Sequence, residues 1–420
     1  MAQSPFAGSN IYHVKRHNLR AILLTFLHTG TASRVQLSKH TNLSNTAITN
    51  LTAELIDQGI VVETGPASAT HGRQRRRVGR PQRMLQLVPD ARYVVGVHIG
   101  IGLFRVAVAN LHADIVHNNI ATFPVDQPAL DVLDMIAQLV GVTLAEANVD
   151  PARILGVGVG ASGLVNRETG VNLHAASLGW HNIPIEAVLK KRLHLPVCVD
   201  NNVRVMALGE AYFGLGRGVD VLAFTYGRIG VGAGIVVNGQ VFRGSGAGAG
   251  EIGHTIILPH DGAQCRCGQR GCLETLVSEP VLLREARLLA DQLPNSILAT
   301  RLNADGDVIE AVFAAARAGD RQALALIDSQ MQYLGIALAN LVNVLNPKLI
   351  ILGGMFAQGS DLILPTVEAT IRQLAFAGLG ESALVKPTTF GWRAGVVGAA
   401  SLALKEFFYE TARELPLWSR

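Results

Sequence analysis

The stretch EIGHTIILPHDGAQCRCGQRGCLE, residues 251–274, gathers three of the chain's four cysteines behind His254. His254, Cys265, Cys267 and Cys272 amount to the four soft ligands of a closed, structural zinc site. A disulfide or free thiols are the alternatives. The N-terminal MAQSPFAGSN has no basic, apolar and cleavage-site pattern of a secretory leader, so a cytoplasmic location is expected. In that compartment clustered cysteines favour metal over a disulfide. Cys198 lies within an apolar strand and reads as an inert buried thiol.

Outward from this knuckle, the chain alternates strands and helices. VLAFTYGRIGVGAGIVVNG (221–239) is a strand, a glycine turn and a returning strand, and YVVGVHIGIGLFRVAVANL (93–111) has the same design. RILGVGVGASGLVN (153–166) and KLIILGG (348–354) are buried strands opening into loops, and LPVCVDNNVRVMALGEAYFG (195–214) is a strand that ends at Asp200-Asn201-Asn202 and gives way to a helix. The class is α/β, and the two similar strand–turn–strand units suggest two related lobes with a cleft between them.

Composition supports a folded, multi-domain chain: 420 residues, 49% hydrophobic and only 16% charged, which excludes a largely disordered protein. Mean hydropathy is +0.30, so membrane insertion needs testing. The longest uncharged run, residues 329–347, carries two Gln and three Asn and reads as a buried amphipathic helix rather than a span.

Charge is unevenly distributed. Residues 1–90 hold 11 Lys/Arg and 4 acids, a balance of +7, leaving −3 for the rest. A basic head on a mildly acidic body points to a polyanionic partner; a merely solvated charged face is the bland alternative. Within the head, Leu19, Ile22, Leu23, Phe26 and Leu27 recur at helical spacing, Ser33 caps a short second helix, and Ile48, Leu51, Leu55 and Ile56 stripe a third. This is the helix-turn-helix pattern. Arg34 and the polar start of the third helix, Ser44, Asn45, Thr46, Thr49 and Asn50, are the candidate DNA contacts. A helical hairpin used for dimerisation would also keep such residues outside. Residues 64–83 (TGPASATHGRQRRRVGRPQR) lie between two short strands and read as a basic wing. Arg73, Arg75, Arg76, Arg77 and Arg80 would follow the phosphate backbone there, unless the segment is only a linker.

GEIGHT (250–255), CRCGQRGCLE (265–274) and the Asp-Asn-Asn strand end together resemble the ROK family of repressors, open reading frames and sugar kinases. The resemblance spans essentially the whole chain. The added head is similar to the family's transcription-factor branch, with its xylose-, glucose- and N-acetylglucosamine-responsive regulators. It implies a two-lobed actin-like ATPase fold behind a winged helix-turn-helix: residues 1–90 the DNA-binding head, 91–200 a first lobe completed by about 395–420, and 201–394 a second lobe with the zinc knuckle. It also implies a homodimer or homotetramer.

In the family's kinases, sugar hydroxyls are held at the places occupied here by Asn201, Asn202, Glu251, His254 and Glu274. Carboxylates and amides suit vicinal hydroxyls, and His254 can offer one ring nitrogen to zinc and the other to a hydroxyl. The alternative leaves Glu251 and Glu274 as supporting or solvent-facing groups. Three positions depart from the kinase pattern. Asn202 replaces the Asp that serves as general base, a role worth roughly 10²–10⁴ in rate. His98 replaces the Asp of the first phosphate turn, and Arg228 replaces a glycine of the second. The resemblance therefore implies a sugar-responsive transcriptional regulator, most simply a repressor relieved by sugar. It would bind double-stranded operator DNA and a small sugar, with structural Zn²⁺, no ATP requirement, no catalytic residues and no membrane. The rivals are an active sugar kinase carrying a DNA-binding head and a docking platform for another protein.

Overall fold

Leu19, Ile22, Leu23 and Phe26 bury one face of helix α1 (Ile11–Thr29) against the rest of the head. The computed structural model describes residues 11–66, 83–304 and 306–410. After α1 come β1 (Thr31–Ser33), α2 (Arg34–Thr41), α3 (Asn45–Asp57), β2 (Val61–Pro66) and β3 (Arg83–Leu87). A capping box starts α2: the Ser33 side chain accepts from Gln36 N and the Gln36 side chain accepts from Ser33 N. Asn42, in the left-handed region at φ 56°, ends it, and Ser44 caps α3. Strand β3 pairs antiparallel with both β1 and β2. This is a winged helix, whose wing tip, with Arg73, Arg75, Arg76, Arg77 and Arg80, lies outside the described residues.

The body is built twice on one plan. In the first lobe β4 (Tyr93–Ile99), β5 (Leu103–Asn110) and β6 (Ile115–Thr122) form an antiparallel meander. Helix α4 (Ala129–Ala147) returns the chain to β7 (Ile154–Ala161), parallel to β4. A small sheet of β8 (Leu164–Asn166), β9 (Val171–Ala175) and β10 (Trp180–Ile183) follows, then α5 (Ile185–Leu193) and β11 (Val197–Asn201), parallel to β7. The order is β11-β7-β4-β5-β6. Helix α6 (Asn202–Phe213) crosses to the second lobe.

There β12 (Val221–Gly227), β13 (Val231–Val237) and β14 (Gln240–Val241) repeat the meander. The knuckle loop leads into α7 (Glu274–Val277), α8 (Glu279–Gln292), α9 (Ile297–Leu302), α10 (Val308–Arg317) and α11 (Arg321–Leu345). Strand β15 (Leu349–Gly354), short α12 (Met355–Gln358), α13 (Ser360–Leu374), α14 (Leu379–Ser382) and β16 (Leu384–Pro387) complete the order β14-β13-β12-β15-β16. The last helix, α15 (Ala394–Leu404), lies back on the first lobe's sheet. A Cβ at Gly158 on β7 would collide with Ala399 O of α15, so only glycine permits that approach. The two crossing helices meet where Gly209 of α6 faces Gly398 of α15. The expected α/β class and actin-like doubling are both present.

Among the described residues, head and body share one buried hydrophobic cluster, and α1 adds polar contacts to the body at two places. Arg217, just beyond α6, donates from Nη2 to the carbonyls of Leu27 (2.6 Å) and His28 (3.2 Å) in the last turn of α1. Those carbonyls have no partner within their helix, and a cation suits the negative helix end. Arg20 of α1 donates to Glu410 (2.9 Å), which also accepts from Gln240 and pairs with Lys405. Among the described residues no single helix is long and apolar enough to cross a membrane. The uncharged run 329–345 is part of α11, whose inward face is buried.

Candidate effector cleft and metal knuckle

Strand β11 delivers Asp200, Asn201 and Asn202 to the cleft between the lobes, where α6 begins. Asn201 caps α6: its Oδ1 accepts from Val203 N (2.9 Å) and Arg204 N (3.1 Å), and its Nδ2 donates to Gly163 O (2.9 Å). Asn202 donates from Nδ2 to Ser162 Oγ at 3.1 Å. Asp200 points away from the cavity into the interior. Its Oδ2 accepts from Arg243 Nε (3.0 Å) and Nη2 (2.7 Å), and Arg204 Nε lies 3.5 Å from its Oδ1.

From the opposite lobe, a single helical turn at Ile252–His254 presents Glu251 and His254. Desolvation by the cleft walls raises the Glu251 carboxyl above the ordinary range, opposed by His254 and Arg204 and reinforced by Glu274. Glu274, at the start of α7, accepts from Val231 N at 3.1 Å on Oε2 and from Arg266 Nη2 at 3.2 Å on Oε1. The same guanidinium donates from Nη1 to Ser177 Oγ of the first lobe at 2.7 Å. Asn201, Asn202, Glu251, His254 and Glu274 all line one cavity of about 410 Å³ between the lobes.

Behind it, His254, Cys265, Cys267 and Cys272 converge, with their ligand atoms all within 4.8 Å of one another. His254 Nδ1 lies 3.7 Å from Cys265 Sγ, and Cys267 Sγ lies 3.6 Å from Cys272 Sγ. A tetrahedron with metal–sulfur bonds of about 2.3 Å has edges of about 3.7 Å. The quartet therefore has the dimensions of a closed metal site. Nδ1 faces the sulfurs, which leaves Nε2 for the cleft. Burial raises the thiol pKa values of Cys265 and Cys272, so thiolates packed this closely call for a cation.

His98 and Arg228 also lie at the cavity. His98 is buried and neutral, its pKa lowered to about 4 by desolvation and by Arg105 and Arg228. Arg228 lines the cavity from the β12–β13 turn.

On the head, Ser44, Asn45, Thr46, Thr49 and Asn50 are exposed. Ser44 spends its hydroxyl oxygen on the α3 cap, and the Thr49 hydroxyl donates to Asn45 O. Arg34 is not presented with them. It turns inward, donating from Nη1 to Glu63 Oε1 (2.7 Å) and from Nε to Thr52 Oγ1 (3.1 Å), and so braces α2 and α3 against the wing strand. The sequence reading missed Ser162, Ser177 and Arg266. Only Arg266 carries a local signal, a cation between two metal-spaced cysteines; the serines become visible only when the lobes are folded together.

The sequence profile of the ROK family matches residues 94–406. A xylose repressor from Caldicellulosiruptor bescii is 31% identical over 394 residues, 94% of this chain and 96% of that protein. A glucokinase from Halalkalibacterium halodurans is 36% identical over 319 residues, 75% of this chain and 96% of the enzyme. Among solved structures, a ROK family transcriptional regulator homologous to the E. coli Mlc protein superposes with a TM-score of 0.80 at 29% identity. That match covers 95% of this chain and 97% of that one.

Proposed function

The chain belongs to the ROK family, and on that premise we infer that it is a sugar-responsive DNA-binding repressor whose cleft binds a sugar without phosphorylating it. One observation carries the reading: a single buried helix joins the cleft to the head. Helix α6 starts at Asn202 beside the cavity, spans about 18 Å at 1.5 Å per residue, and leads directly to Arg217 on the last turn of α1. A ligand that moves Asn201 or Asn202 displaces one end of a rod whose other end holds the DNA-binding domain.

In the cleft, Glu251 and Glu274 would accept hydroxyl hydrogen bonds, His254 would use Nε2, and the amide of Asn202 would read a neighbouring hydroxyl. Phosphoryl transfer lacks its base. Asn202 cannot take a proton at neutral pH, and Asp200 is committed to two arginines inside the protein. Zn²⁺ held by His254, Cys265, Cys267 and Cys272 would neutralise the thiolates and stiffen the loop that carries Arg266; its role is structural. At the head, Asn45, Thr46, Thr49 and Asn50 would meet base edges and phosphates in the major groove, and Ser44 would cap the helix that carries them. The wing arginines Arg73, Arg75, Arg76, Arg77 and Arg80 would add phosphate contacts. A homodimer would place two heads on a palindromic operator.

The test is fluorescence anisotropy on DNA from upstream of the protein's own gene, titrated with xylose, glucose, fructose and N-acetylglucosamine and their phosphates, without ATP. Salt-sensitive binding released by one ligand is expected, with Glu251→Ala retaining DNA binding and losing the release. Sugar-dependent ATP turnover, with operator affinity indifferent to every ligand, would overturn the reading. Cys267→Ser is expected to lose bound zinc by elemental analysis and with it most of the effector affinity.

A further inference from the structure

The β9–β10 hairpin carries two histidines that neither the knuckle nor the reading of the cleft employs. His174 and His181 are direct partners in the antiparallel register of the two strands, so their side chains leave the same face of the small sheet. Both are exposed. Their Nδ1 atoms stand 3.3 Å apart, while the ring centroids stand 4.7 Å apart with the planes inclined by 43°. The rings therefore splay, and their Nδ1 edges turn toward each other. His174 also lines the cleft cavity. Ser177, on the turn between the two strands, accepts from Arg266 of the second lobe at 2.7 Å.

A separation of 3.3 Å is long for a hydrogen bond donated by N–H, whose usual range ends near 3.2 Å. It is the span of a shared cation. Two metal–nitrogen bonds of about 2.05 Å whose ends lie 3.3 Å apart enclose an angle of about 107°, close to tetrahedral. We propose that His174 and His181 chelate a divalent transition ion of the zinc, nickel and copper class through both Nδ1 atoms, at the rim of the cleft. Imidazole suits these ions, whereas Mg²⁺ and Ca²⁺ call for oxygen donors. No third His, Cys, Asp or Glu gathers with the pair among the described residues. The remaining coordination positions therefore belong to water, and the ion is exchangeable, unlike one closed in by the four ligands of the knuckle. It cross-links β9 to β10 beside the turn that carries Ser177, and so stiffens the first-lobe half of the contact with Arg266. The site stands on the hairpin alone and does not require the cleft to take a sugar.

The experiment is calorimetric titration of Ni²⁺, and separately of Zn²⁺, into the full-length protein after it has been loaded with zinc and dialysed. One further ion per chain is expected. His174→Ala and His181→Ala should each weaken its binding by about tenfold or more, because a lone imidazole forfeits the second, intramolecular bond of a chelate. For the same reason the double variant should be little weaker than either single one. Both residues are exposed, so the variants keep the core intact. His117→Ala, which removes an exposed histidine paired with Glu146, should leave the titration unchanged. Small losses in the single variants that multiply in the double would mean two independent imidazoles and overturn the chelate. Absence of a further ion would overturn the site and leave a hydrogen-bonded pair. A further ion that both histidine variants retain would also overturn it, and its loss in Cys267→Ser would assign that ion to the knuckle.

Discussion

Asp200 shows how one side chain holds the strand end that feeds the cleft. It is 1% exposed and stands between Arg243 and Arg204, the latter also 1% exposed. Removing one partner of a buried charge group leaves the others unpaired, at a cost of about 3–5 kcal/mol. Asp200→Asn is therefore expected to lose stability on that scale, read as a lower urea midpoint; a midpoint within experimental error of the parent would show that the arginines find other partners. His98 supports a pH prediction. Its folded pKa, about 4, lies below the ordinary histidine value of about 6.5. Its neutral form therefore contributes full stability above pH 6.5. That contribution is lost as the pH falls from 6.5 toward 4, because the unfolded chain takes up a proton that the folded one refuses. Over that window the loss is on the order of 3 kcal/mol. His98→Gln removes the titration, so the drop in urea midpoint between pH 7 and pH 4.5 should shrink relative to the parent. Equal drops would mean that His98 is solvated in the folded state.

Among the elements, α6 would carry the proposed coupling, and Arg217 is where it would be cut. Arg217→Ala removes the donors to Leu27 O and His28 O and touches neither the cleft nor α3. Effector affinity and operator affinity, each measured alone, should stay within a few-fold of the parent. The factor by which effector weakens operator binding, commonly about 5–150-fold in coupled systems, should fall toward one. Undiminished coupling would route the signal through Arg20 and Glu410 instead. The elements differ in how legible they were. The strand–turn–strand units at 93–111 and 221–239, the Ser33 cap and the four metal-type ligands follow from local spacing, since neighbours in sequence determine them. The sheet orders and the crossing of α6 over α15 were not legible, because parallel pairing joins distant strands and a Gly–Gly crossing leaves no periodic trace. The same holds for side-chain partners. Arg34 looks like a free cation until Glu63, 29 residues on, is seen to hold it, and Ser177 meets Arg266 across 89 residues of sequence.

At the scale of the whole molecule, a head with a charge balance of +7 on a body of −3 makes operator binding an electrostatic event with a mechanical control. An effector in the cleft alters no charge on the head. In the proposed homodimer it would weaken binding by changing how the two heads are presented to half-sites about one helical turn apart, or a multiple of it. Each phosphate contact contributes about 0.9 to the slope of log K against log salt, so the slope counts engaged contacts. If effector lifts one head off its half-site, the slope should fall by about half, alongside the loss of affinity. If it only strains two heads that both remain in contact, affinity drops at constant slope. The head is held by both lobes, through Arg217 of the second and Glu410 of the first, so a closure that turns one lobe against the other would shear its seat, which favours the first outcome. The measurement is the operator affinity at several salt concentrations with and without saturating effector. A reduced affinity at unchanged slope would refute release of a head. By linkage, operator DNA must lower effector affinity by the same factor as effector lowers DNA affinity; calorimetric titration of effector into the preformed complex supplies that factor independently, and a mismatch would reveal a further ligand or assembly state in the cycle.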